Sequence, residues 1–242
     1  MGTFKMVFIS IQFYLYFTCM SQALLRLNKK LGNLGSHGDG VSGSATKQGR
    51  FNIFSKFRSV LKSIGQSEPY EFVDVGAGDG IMVCLALCFG ATFSVGIEVK
   101  DGQEAVFKSY LPLLLEYGDD DLYCSAFIDY GTSTTFLDVL PTYQCDGEFL
   151  PRCVFFFCDG WSQADREHVF EILIGRDPLI HVVICSPGRG MGDWFTTPDD
   201  ILEVLNASDV ISKFIFDSKL KVKMSGSRYS KSLFVFKRVQ PV

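Results

Sequence analysis

The sequence predicts an α/β protein: one doubly wound domain over residues 51–242, with a mostly parallel seven-stranded sheet and a C-terminal antiparallel hairpin. Three observations predict it. Beyond residue 50, short apolar runs alternate with amphipathic segments, the pattern of a parallel sheet with helices on both faces. A glycine-rich turn, Val75-Gly-Ala-Gly-Asp-Gly80, follows the first apolar run. The last two runs have no helical segment between them and read as paired strands. With 242 residues, 47% of them hydrophobic and 23 of them phenylalanine, the chain can bury a large core, which excludes disorder as an account of the whole.

The elements follow in order. Phe51, Phe54, Phe57, Val60, Leu61 and Ile64 recur at helical spacing and predict an amphipathic helix ending at Gly65. EFVDVG after Pro69 is a buried strand, followed by a helix over about residues 80–89. TFSVGIEV is the second strand, with a helix over about 101–116, and YCSAFID is the third, with a short helix near 133–140. An irregular stretch between Pro141 and Pro151 leads to CVFFFCD, the most hydrophobic strand and therefore the expected centre of the sheet. SQADREHVFEILIG is a helix with Ser162 as its N-cap, and IHVVICSP is a strand. TPDDILEVLNA is a helix opening on Pro-Asp-Asp. ISKFIFDSKLKVKM and YSKSLFVFKRV form the closing hairpin across SGSR.

Ahead of this domain lie two segments of different character. Residues 6–18 are almost wholly apolar, preceded by Lys5 and followed by Ser21-Gln-Ala23, a signal-like arrangement too short for a confident membrane span. Residues 1–31 thus read as a hydrophobic segment that is a secretory signal, an anchor, or an upstream extension of a chain starting at Met20. Residues 32–50, rich in Gly and Ser, read as a flexible linker. No GK[ST] follows their glycines, so they are not a phosphate loop.

Charge is unevenly spread. Residues 1–66 hold nine Lys/Arg against Asp39 alone, and residues 211–242 hold eight against Asp217 alone. The stretch between holds six against 25 acids. One reading is an acidic domain with solvated basic ends; the other is a basic N-terminal segment that contacts nucleic acid, attached to an acidic cleft suited to a cationic substrate. The eight cysteines form no CxxC pair or zinc spacing, and several sit in apolar runs as small hydrophobes. No metal is expected, and the compartment reads as reducing: intracellular, nuclear or cytoplasmic, unless the N-terminus is a signal or anchor. His37, His168 and His181 form no evident triad with a Ser or Cys, so hydrolase chemistry has no support.

The chemistry concentrates at the glycine turn. Gly76, Gly78 and Gly80 let the backbone turn sharply and approach a ligand, with a helix N-terminus facing it. A dinucleotide fingerprint would need glycine where Ile81 stands, and Asp74 suits a cationic ligand better than a pyrophosphate. Glu98 ends the second strand, where it can accept from ribose hydroxyls. Asp129 ends the third, where it can accept from an adenine amino group, with Tyr130 beside the ring. Asp159-Gly-Trp161 follow the fourth. Singly, each acid has a plainer role as a cap or turn residue. Together, four acids at successive strand ends mark the edge where this architecture binds ligands.

VDVGAGDG, then GIEV, then FIDYG resemble the cofactor motifs of class I S-adenosylmethionine-dependent methyltransferases, a Rossmann-like family, over residues 68–239. The resemblance implies that Asp74, Gly76, Gly78 and Gly80 hold the amino-acid end of S-adenosylmethionine, Glu98 its ribose, and Asp129 with Tyr130 its adenine. Within that class, VDVGAGDG and GIEVKDGQEAVFK are most similar to the non-SET histone lysine methyltransferases of the disruptor-of-telomeric-silencing type. That similarity implies a protein lysine acceptor, with a histone or nucleosome as partner; the alternatives are a small-molecule or nucleic-acid methyltransferase of the same fold, or a non-catalytic cofactor-binding module. It departs at Cys158-Asp-Gly-Trp161, where that family has an Asn-Asn-x-x-Phe type motif. Asp159 and Trp161 are the candidate catalytic residues, with Trp161 and Trp194 as candidate walls of an acceptor channel. The loop Ser186–Trp194 leaves the same edge and is either a closing flap or an ordinary connection.

Overall fold

The computed structural model describes residues 45–66, 69–98, 108, 126–130, 144–145, 148–157, 161–188, 195–207, 212–223 and 230–239. The segment 6–18, the helix expected over 133–140 and most of that over 101–116 lie outside these residues; Lys108, within the latter, is helical. Four α-helices are described: α1 (Lys47–Ser63), α2 (Ile81–Cys88), α3 (Gln163–His168) and α4 (Pro198–Leu205). The main sheet contains β1 (Tyr70–Val75), β2 (Ala91–Glu98), β3 (Ala126–Tyr130), β6 (Arg152–Phe156), β7 (Ile180–Cys185), β8 (Lys213–Lys223) and β9 (Ser230–Val239). β4 (Gln144–Cys145) and β5 (Glu148–Phe149) pair separately as a small antiparallel ladder, within the stretch expected to be irregular.

The order across the sheet is β3-β2-β1-β6-β7-β9-β8. The first five strands are parallel, and β9 is antiparallel to both β7 and β8. β6 is the fourth of seven, so the most hydrophobic strand lies at the centre. Chain order reverses between β1 and β6, which opens a crevice at their carboxyl ends.

Side-chain alternation divides the core in two. On one face Phe72, Cys153, Phe155, Val182, Leu233 and Val235 pack against α1 and α2. On the other, Val73, Val75, Val154, Phe156, Val183 and Phe236 pack beneath Phe170, Ile174, Ile201 and Leu205. Cys84, Cys153 and Cys185 are buried, and burial pushes the Cys153 thiol up.

α1 starts at Lys47, ahead of the apolar periodicity that begins at Phe51. The Thr46 hydroxyl accepts from Gly49 N, which caps the helix, and Thr46 N donates to Lys223 O at 2.9 Å. Gly49 permits that approach: a Cβ there would stand 2.6 Å from Val222 Cγ1 and 2.9 Å from Lys223 O. α3 opens on Ser162 as expected, but continues as a π-helix over Val169–Gly175. Arg238 donates to the carbonyls of Ile174, Gly175 and Asp177, taking up backbone oxygens at the end of that wider turn. α4 has a full capping box between Thr197 and Asp200, as its Thr-Pro-Asp-Asp opening implies.

Candidate functional site

β1 delivers the chain to the carboxyl edge at Val75, and the glycine turn reverses it into α2. Gly76, Gly78 and Gly80 have φ of 80°, 56° and 75°, a left-handed region in which any side chain is strained. Gly76 N and Ala77 N both donate to Ile97 O, at 2.8 and 2.9 Å, tying the turn to the end of β2. Gly78 N donates to Glu98 Oε2 at 2.7 Å. One Glu98 oxygen therefore holds the loop in place.

Asp74 is 3% exposed. Burial pushes its carboxyl well above the ordinary range, and the like charges of Asp79 and Glu98 push it further. Such a group is stabilised by an incoming cation or hydrogen-bond donor. Asp79 was given no role from the sequence; its Oδ1 accepts from Ile81 N at 3.2 Å at the start of α2. An Asp two residues before a helix is a recognisable turn signal that could have found it.

The ladder aligns the other strand ends on this edge. Asp74 pairs with Gly96 on β2 and Phe155 on β6, and Asp129 and Tyr130 pair with Ile97 and Glu98. Asp129 and Tyr130 thus reach the edge beside Glu98, while their side chains lie outside the described residues. Asp159, Gly160 and Trp194 lie outside them as well. Trp161 is described. It stands half-buried, edge-on to Phe156 with centroids 5.1 Å apart. A Cβ on Gly76 would come within 3.2 Å of its Cζ2. Trp161 and the glycine turn therefore meet across the crevice between β1 and β6.

Beyond the crevice, Ser186 N donates to Phe156 O at 3.1 Å and Gly188 N to Phe195 O at 2.7 Å. The second bond closes the base of the glycine-rich loop after β7; residues 189–194 lie outside the described residues. Lys231 Nζ sits 4.3 Å above the Phe157 ring, just past the end of β6. Sequence reasoning missed this pair, because nothing local links β9 to β6.

No family model matches the sequence, and neither does any curated protein. Solved structures do match. Magnesium protoporphyrin IX methyltransferase (ChlM) from Synechocystis PCC 6803, crystallised with bound SAM, aligns over 80% of this chain and 81% of its own, with 13% identity and a TM-score of 0.53. Its complex with SAH aligns over 80% and 85%, with 12% identity and a TM-score of 0.52. WbdD, a bifunctional kinase-methyltransferase, aligns over 85% of this chain at 15% identity and a TM-score of 0.53. The match spans only 38% of WbdD. The chain has the class I methyltransferase fold. Within that fold, Gly76–Gly80, Glu98 and Trp161 occupy the carboxyl edge at the switch point, where the architecture binds its ligands.

Proposed function

We propose that this protein is an S-adenosylmethionine-dependent methyltransferase. The observation that carries the reading is the glycine turn clamped to Glu98 above the buried Asp74. The site suits the cofactor chemically. Asp74, its charge unfavourable where it stands, matches a cationic amino-acid end. A Cβ on Gly78 would meet nothing within 4 Å, so the loop leaves room for a ligand against its backbone. Glu98 is the ribose acceptor, and Asp129 with Tyr130 the adenine end. That ChlM was crystallised with SAM and SAH in the same fold supports the assignment.

When bound, the cofactor supplies an electrophilic methyl group. What remains for the chain is alignment of the acceptor with it, for which no metal or strong acid is required. Trp161 forms one wall of the approach and excludes water from it. Asp159 orients the incoming nucleophile. For the acceptor we favour a lysine of a basic, nucleic-acid-associated protein such as a histone. A dry aromatic wall lowers the pKa of such an amine by desolvating its charged form.

Calorimetric titration of the full chain with S-adenosylmethionine tests the cofactor reading. Binding is expected in the micromolar range, and Glu98→Ala should weaken it at least ~10-fold, about 1.4 kcal/mol. A folded wild-type chain that shows no binding would overturn the proposal. Radiolabelled methyl transfer to core histones and nucleosomes then tests the acceptor.

A further inference from the structure

The carboxyl edge changes sign along its length. Around β1, β2 and β3 stand Asp74, Asp79, Glu98 and Asp129. The hairpin half is basic. β8 is antiparallel to β9, which is antiparallel to β7, so β8 runs with the parallel strands and Lys223 ends at the carboxyl edge. Leu220 and Val222 pack toward the core on the α1 side. Lys219, Lys221 and Lys223 therefore share the opposite face, and all three are exposed. Lys219 Nζ stands 5.5 Å from the centroid of Phe234, which belongs to the core on that side. Alternate residues of a strand are ~6.7 Å apart, so three ammonium groups form a row ending at the carboxyl edge, three strands from β6. Among the described residues, neither Lys221 nor Lys223 has an acid in salt-bridge contact.

Edge strands often carry lysine simply to block pairing with another chain. That role does not explain the distribution here. The half of β8 far from the crevice exposes Ile215, 41% accessible, and its Lys213 Nζ is taken up by Asn206 O at 3.0 Å. The three exposed lysines gather instead in the half of the strand that ends at the carboxyl edge. A small anion would need donors converging on a pocket, whereas a row along an extended strand suits a repeating polyanion.

We propose that the Lys219-Lys221-Lys223 face of β8 is a docking strip for the sugar–phosphate backbone of single-stranded nucleic acid, running along the outermost strand to the carboxyl edge of the sheet. The strip goes beyond the cofactor reading and stands without it. Its test is fluorescence anisotropy of the full chain with a labelled 20-nucleotide oligothymidylate, without S-adenosylmethionine, across a salt series. Each lost phosphate contact on a single strand lowers the log–log salt slope by about 0.7. The triple variant Lys219→Gln, Lys221→Gln, Lys223→Gln should therefore lose about 2 from the slope, and at least ~10-fold in affinity at low salt. Lys221→Gln alone should lower the slope, while Lys62→Gln, an exposed cation on α1, should not. Three results overturn the proposal: no binding by the wild type, an unchanged slope in the triple variant, or phosphatidylserine vesicles competing as well as unlabelled oligonucleotide. None of them bears on cofactor binding, which calorimetry measures separately.

Discussion

Asp74 holds a carboxylate where the fold gains least from one, almost fully buried and facing the like charges of Asp79 and Glu98. A raised carboxyl pKa means that the ionised form is disfavoured in the folded state, so at neutral pH this group costs stability. The cost makes sense at a site that binds a cation. Asp74→Asn should accordingly raise stability by about 1–2 kcal/mol, or ~2–4 °C in melting temperature per kcal/mol for a chain of this size, while weakening S-adenosylmethionine at least ~10-fold. Paired thermal melts and calorimetry check it, and a variant that melts lower yet binds normally would refute the assignment. Asp74, Glu98 and the three glycines were legible in the sequence because their spacing after two strands is local information. The approach of Trp161 to Gly76 was not, since it depends on β1 and β6 lying side by side. The same holds for Lys231 over Phe157.

At the level of elements, α1 and β8 come from opposite ends of the chain and close on each other through Gly49 against Val222 and the ion pair between Lys56 and Asp217. Asp217 sits beside an irregularity between Phe216 and Ser218, where β8 slips against β9. Burial pushes its carboxyl up, but hydrogen bonds from Lys56, Ser218 and Lys237 outweigh this and lower its pKa to about 2. A depressed carboxylate stabilises the fold above the unfolded-state value near 3.8 and ceases to do so as pH falls through about 2. Allowing for solvent around the two lysines, each about a quarter exposed, the contribution is about 1–2 kcal/mol. Denaturant unfolding should therefore show wild type above Asp217→Asn by that amount at pH 5–7, with the two converging as pH approaches 2. A constant gap across that window would mean that the side chain acts through packing alone. Element boundaries followed the sequence where caps announce them, as at Ser162 and Thr197. The π-helix did not, because VFEILIG has the apolar spacing of an ordinary helix; Arg238, on a distant strand, meets its carbonyls from outside.

Across the whole molecule, the two edges of the sheet divide the work. The carboxyl edge carries the glycine turn and, among the described residues, the charge gradient from acid to lysine. At the amino edge, Arg152 at the start of β6 bonds Glu71 at the start of β1, and its Nη1 reaches Asp177 at 2.6 Å. Arg152 and Glu71 are nearly fully buried. Burial pushes the Arg152 guanidinium down, but Asp177 and Glu71 outweigh it and hold the pKa above its ordinary value. Nearby, Arg238 Nε donates to Ile180 O at 2.8 Å, although burial lowers its own pKa to about 10. The doubly wound order was legible from alternation alone, whereas this clasp was not, because Glu71, Arg152, Asp177 and Arg238 become neighbours only once four chain segments are in register. The division has a measurable consequence. Breaking one partner of a buried pair leaves an under-compensated charge, and typically costs about 3–5 kcal/mol. Asp177 still faces Arg152 when Glu71 is neutralised, so Glu71→Gln should fall at or slightly below the lower limit, about 2–3 kcal/mol. Cofactor affinity, measured well below the melting point, should stay within about twofold of wild type, an energy under ~0.5 kcal/mol. Glu71→Gln would then lose stability and keep binding, the reverse of Asp74→Asn at the opposite end of the same strand. Loss of affinity in both variants would show instead that β1 transmits strain from one edge to the other, and that the edges do not act independently.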